Sequence, residues 1–224
     1  MLDGARLGVE EGLRAGITTY ADTCDSGVAF DAMLEAGVRG IMYQEVFGPD
    51  PDACEQSMAE LRGKVAALRK RETALLRVGV SPHAPYTVSD RLYEAVARYA
   101  AEEKLPVAVH IAESEVERRL VEEGEGVFAD GLRKRDIRVQ PRARSSVELL
   151  ERTGILGRRP LMIHCVRVDH GDIALIAGAK APVAHCPASD AKLGHGIAPL
   201  LEMMDAGITV GLGSDSVASN NAMD

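Results

Sequence analysis

Three histidines, one glutamate and one aspartate stand where apolar, strand-like runs give out. They are His83 in VGVSPHAPYT, His110 and Glu113 in PVAVHIAES, His164 in LMIHC and Asp215 in VGLGSDS. Imidazoles and carboxylates are the usual ligands of a zinc-type cation, and a carboxylate beside water activated by such a cation can move protons for hydrolysis. A parallel barrel gathers side chains from the carboxyl ends of separate strands at one point. The five residues therefore read as the makings of a hydrolytic metal site.

Singly, each residue also has a plainer reading. His110-x-x-Glu113 equally suits a strand-end imidazole followed by a glutamate placed to favour a helix dipole. His164 alone suits a satisfied core histidine. Asp215 suits a local turn among glycines. His83 lies between Pro82 and Pro85, which stiffen its loop and suit either a fixed imidazole over a ligand or a rigid turn. The combination is what favours chemistry. His185 and His195 bracket HCPASDAKLGHG and are expected to support the site or shape its loop, and His170, between Asp169 and Asp172, is expected to be solvated.

To bring these residues together the chain must repeat a strand and a helix. Residues 3–15 read as an amphipathic helix stopped by Gly16. Strand candidates then follow at 17–21, 40–46, 75–80, 106–111, 160–166, 182–186 and 209–213. Helical stretches are expected at 28–36, 52–71, 89–103, 115–129, 170–177 and 197–206, with Ser89 and Asp90 opening one helix and Gly37 and Gly207 closing two others. Alternation of this kind predicts βαβ units and a parallel sheet. The expectation is a TIM-type (β/α)₈ barrel over residues 1–224 as one domain, incomplete here with strands 2 to 8. A doubly wound open sheet is the rival architecture, but it would not explain polar residues converging from so many strand ends.

The spacing between His110 and His164 is about double the usual step. It includes GLRKRDIRVQPRAR, with six basic residues against one acidic. A solvated loop is the favoured reading; the alternative is an anion-recognising loop in which Arg142 or Arg144 meets a carboxylate or phosphate.

The 224 residues, 46% apolar, are enough for a sizeable core, and the net charge of −8 argues against nucleic acid or an anionic membrane as partner. A small-molecule substrate is expected. No apolar run reaches a membrane span and the start lacks a secretion signal, so the expectation is a cytoplasmic protein. Cys24, Cys54, Cys165 and Cys186 form no C-x-x-C pair and read as buried free thiols, with Cys165 facing away from a barrel interior that His164 faces.

The strings SPHAPYT, HIAESEVE, IHCV, HCPASDAKLGHG and GLGSDSVASNN resemble the amidohydrolase superfamily. The resemblance is to its branch of methylthioadenosine, S-adenosylhomocysteine and aminodeoxyfutalosine deaminases and related chlorohydrolases. It implies a distorted barrel with a small β-sandwich built from both chain ends, and a divalent metal, zinc first, with iron or manganese as alternatives. It implies His110 and Asp215 as metal ligands, Asp215 also taking a proton from the attacking water, and Glu113 as the acid that protonates the ring nitrogen. His164 would orient the reacting centre, and His83 and Ser219 would contact substrate. The implied reaction is hydrolytic loss of ammonia from an aminopurine nucleoside.

The chain departs from the family pattern. The His-x-His pair that ends the family's first strand is absent, Asp190 stands where Asn is usual, placing a charge in a loop near the mouth, and Ser214 where Thr is usual. As it stands the polypeptide is expected to be a poor enzyme or none. A missing N-terminal segment or a homo-oligomer would complete it. The competing expectations are a dechlorinase or other ring deaminase of the same family, and a non-catalytic barrel fragment acting as a binding module.

Overall fold

The computed structural model describes residues 1–221, and β/α units repeat along all of them. The strands are β1 (Thr19–Cys24), β2 (Arg39–Val46), β3 (Leu76–Pro82), β4 (Ala108–Ile111), β5 (Leu161–His164), β6 (Val183–His185) and β7 (Val210–Leu212). The first helices are α1 (Leu2–Arg14), α2 (Val28–Ala36), α3 (Cys54–Arg69), α4 (Asp90–Glu103), α5 (Glu115–Glu122) and α6 (Val127–Arg133). They are followed by α7 (Ser146–Arg152), α8 (His170–Ala179), α9 (Pro187–Leu193), α10 (Leu200–Asp205) and α11 (Val217–Asn220).

All strand pairs are parallel and neighbours follow chain order, β1 to β3 in one run and β4 to β7 in another. A bridge between Val80 and Val107 joins the two runs. The seven strands expected from sequence are thus present as the wall of an α/β barrel. Among the described residues β1 and β7 are each paired on one side only, and the wall is open between them. A cavity of about 460 Å³ enters there, lined by Asp22 of β1, Leu212 of β7 and Gly8 of α1, and reaches His110 and Asp215.

Local chemistry sets the element ends. The Ser89 hydroxyl accepts from the N–H of Leu92, and Gly37 closes α2 with φ +66°. Asp169 and Asp172 cap α8 reciprocally. Burial of Phe30, Met33, Leu61, Leu92, Leu149 and Ile155 fills the layer between strands and helices. Each such side chain contributes about 1.5–3 kcal/mol relative to exposure.

The helix expected at 115–129 is two helices. Gly124, just past the end of α5, has φ +68°, and Gly126 at φ +89°, ψ −178° precedes α6, where the chain restarts. The cysteines are all free, but Cys24 is only half-buried, while Cys165 lies fully buried in the core. Among the described residues no helix is long and apolar enough to cross a membrane.

Candidate functional site

Three histidines form a row across the strand ends. The ring centroids of His83 and His110 are 4.9 Å apart, and those of His110 and His164 are 5.7 Å apart. His83 Nδ1 lies 2.8 Å from the Thr87 hydroxyl, and Phe47 and Tyr86 flank its ring. Burial pushes the His83 imidazolium down to about 4 and that of His110 down to about 3, so both are neutral near pH 7.

Glu113 follows β4 and lies at the centre of the next group. Its Oε1 is 3.6 Å from His164 Nε2 and 3.3 Å from His195 Nδ1, and burial, then the charge of Glu113, raises the pKa of the Tyr86 hydroxyl. A buried carboxylate that sequence reasoning missed aims it. The N–H groups of Ala112 and Glu113 donate to Glu117 at 2.7 and 3.2 Å, which fixes the turn at Ala112, φ +51°. In sequence Glu117 looks like one more charge on a surface helix. Only its spacing from the strand end and the capping Ser114 could have pointed to it.

Asp190 corrects an expectation. It is not a charge in the mouth loop but is buried on α9 at 1% exposure, and it accepts from His164 Nδ1 at 3.1 Å. His185 Nδ1 faces its other oxygen at 3.4 Å. Burial lowers the His164 pKa, but the bond to Asp190 and the charges of Glu113, Asp190 and Asp215 outweigh it, and the net shift is upward. His170 is exposed, as expected.

Asp215 follows β7 with φ +57° and is held by its neighbours: Ser189 Oγ donates to Oδ2 and the N–H of Ser216 to Oδ1, both at 2.5 Å. It shares the 460 Å³ cavity with His110. Ser219 lies in α11, where its hydroxyl is 3.2 Å from that of Ser216. Among the described residues Ser219 bonds to Ser216 at the start of α11 rather than to the histidine row.

A divalent cation suits the donors. His110 Nδ1 lies 3.2 Å from the carbonyl of His83, which as an acceptor selects Nδ1–H and leaves the Nε2 lone pair free, the usual state of a metal-binding imidazole. Glu45, a second residue sequence reasoning passed over, ends β2 with its carboxylate within 4.8 Å of ligand atoms of both His83 and His110. Burial, then Asp25 and Asp22, raise the Glu45 carboxyl to about 7.

In the basic stretch Arg142 and Arg144 are engaged by groups of this chain. Residues 133–138 are largely exposed, but Arg142 turns inward, donating to Asp90 Oδ1 and Pro85 O at 2.5 Å and to Val88 O at 3.0 Å. Arg144 pairs with Asp169 and Asp172. Arg142 thereby ties down the loop that carries His83. A separate surface cavity of about 600 Å³, between Glu115, Arg119 and Arg133, contains none of the site residues.

The family model described as amidohydrolase family matches residues 3–224. The chain belongs to the amidohydrolase family. It is 33% identical over 223 residues to a 5-methylthioadenosine/S-adenosylhomocysteine deaminase of Thermococcus kodakarensis, covering 99% of this chain and 49% of that protein. To an aminodeoxyfutalosine deaminase of Deinococcus radiodurans it is 33% identical over 232 residues, covering 98% of this chain and 55% of that one. Among solved structures, an adenosine deaminase from Xanthomonas campestris with bound zinc superposes with a TM-score of 0.80 at 27% identity. That likeness covers all of this chain and 47% of the other. This amidohydrolase chain therefore spans about half the length of the relatives it matches.

Proposed function

We propose that this chain supplies most of a metal-dependent hydrolase centre that deaminates an aminopurine nucleoside of the methylthioadenosine, S-adenosylhomocysteine or aminodeoxyfutalosine class. The observation that carries the reading is the convergence of His83, His110, Glu113 and His164 from two strand ends and two following turns. In this reading His110 and Asp215 hold the cation, zinc by the character of the donors. When bound, the cation supplies water acidified enough to attack near neutral pH.

The protein's own groups then handle protons. Asp215 takes a proton from the attacking water, and Ser189 holds its carboxylate in place. Glu113 gives a proton to the ring nitrogen as water adds to the amino-bearing carbon; Asp215 passes its proton to the amino nitrogen, the C–N bond breaks, ammonia leaves, and the proton lost as the carbonyl forms restores Glu113. His164 steadies the developing charge, and His83 and Ser219 contact the substrate.

The open seam between β1 and β7 is where further ligands would enter, on an extended segment from a longer form of this protein or from a second copy. The test is metal stoichiometry and ammonia release, measured on this chain and on a form extended by a strand ending in His-x-His. The extended form should hold about one cation per chain and deaminate at least one of the three nucleosides. Metal binding without ammonia from any of them overturns the reading, and chloride release from a chlorotriazine would instead assign the centre to ring dechlorination.

A further inference from the structure

We infer that Asp190 is a positioning residue, a single buried carboxylate that faces the Nδ1 atoms of three histidines and sets the ring orientation and proton placement of His164. His164 Nδ1 lies 3.1 Å from Oδ1, His185 Nδ1 3.4 Å from Oδ2 and His195 Nδ1 3.7 Å from Oδ1. Only the first is a hydrogen bond; among the described residues Asp190 Oδ2, His185 Nδ1 and His195 Nδ1 are buried without one. A carboxylate left half-satisfied in the interior is costly, so the arrangement has to be held by the surrounding fold.

The chemistry of the donors makes the arrangement directional. An ionised carboxylate only accepts, so the His164 nitrogen facing it must be Nδ1–H. The ring's other nitrogen, Nε2, is thereby turned to Glu113 Oε1 at 3.6 Å. An amide in place of Asp190 could present either its oxygen or its NH₂ and would leave the choice open. His195 closes the circuit, with Nδ1 near both carboxylates. The consequence for Glu113 rests on the deaminase reading; the assignment of the His164 ring does not.

Ring ¹⁵N–¹H spectra of the uniformly labelled 224-residue chain test this without any activity, with His164→Asn identifying the His164 signals. The wild-type chain should show a protected proton on His164 Nδ1. In Asp190→Ala that proton should exchange at least about tenfold faster, while the amides of Met162 and Ile163 keep their protection, because the charge-assisted bond that shields it is gone. Asp190→Asn, which keeps the shape should the alanine variant fail to fold, should shift the same signal and speed its exchange. An unprotonated Nδ1 in the wild-type chain, or ring signals that neither variant alters, overturns the inference. Failure of the nucleosides to release ammonia would count against the deaminase reading and leave these spectra unaffected.

Discussion

His110 and His164 stand one residue out of step on neighbouring strands, yet their rings lie 5.7 Å apart on the same side of the wall. In the β4–β5 register His110 is opposite Ile163 and His164 is opposite Ile111, a core residue. Paired residues of a parallel sheet point to one side, so a regular strand would send His164 away from His110. The left-handed backbone at His164, φ +77°, and at Cys165, φ +54°, turns the ring back to the site.

Cys165→Val tests that turn. Valine has nearly the size of cysteine but tolerates positive φ poorly, so the variant should lose about 1–2 kcal/mol in urea denaturation and shift the His164 ring signals. Cys165→Ala should leave those signals in place. Equal stability of the valine form would show that the turn is not constrained.

Glu117 should make stability depend on pH. Burial raises its carboxyl to about 7 from 4.5, so the folded chain binds the extra proton between those values. Its contribution is present below pH 4.5 and is lost as pH rises through about 7, by about 3 kcal/mol at ~1.4 kcal/mol per unit. The stability of the wild-type chain relative to Glu117→Gln should therefore fall between pH 4.5 and 7.5, read from denaturation midpoints. His83 and His110, with lowered values, act in the opposite sense: their contribution is present above about 6.5 and is lost as pH falls through about 4 and about 3. They are common to both proteins and cancel in the difference.

Arg142→Lys should cost about 2 kcal/mol, because one ammonium cannot serve the three acceptors that the guanidinium fork spans. The His83 ring signals should broaden as its loop loosens. A variant as stable as the wild-type chain, with His83 unchanged, would show that Arg142 does not hold the loop.

Gly79→Ala probes the joint between the two runs of strands. An added Cβ would come 2.7 Å from the carbonyl of Pro106 and 2.5 Å from the Tyr43 ring, beside the Val80–Val107 bridge. Overpacking of this kind should cost about 1–3 kcal/mol. Amide exchange at Val80 should rise with it.

Apolar runs and glycine stops made the seven strands legible, and the resemblance pointed to the strand-end residues. Two features were not legible, because each depends on a distance across the fold. Asp190 is 26 residues from the histidine it binds, and Arg142 is 52 from Asp90. Glu117 looked like helix surface because its buried setting comes from the turn at Ala112, to which only the strand-end spacing and Ser114 point. The break at Gly124 and Gly126 was visible as letters, but helical periodicity on both sides concealed it.

The left-handed conformations at Ala112 and Asp215 set durability against accuracy. Glycine would occupy either position more comfortably by about 1 kcal/mol, so the easiest stabilising substitutions lie beside the chemistry. Glycine at 112 would release the backbone that points Glu113, and glycine at 215 would remove the Asp215 carboxylate itself. Selection for heat resistance alone would therefore tend to yield a tougher protein with a blurred active centre.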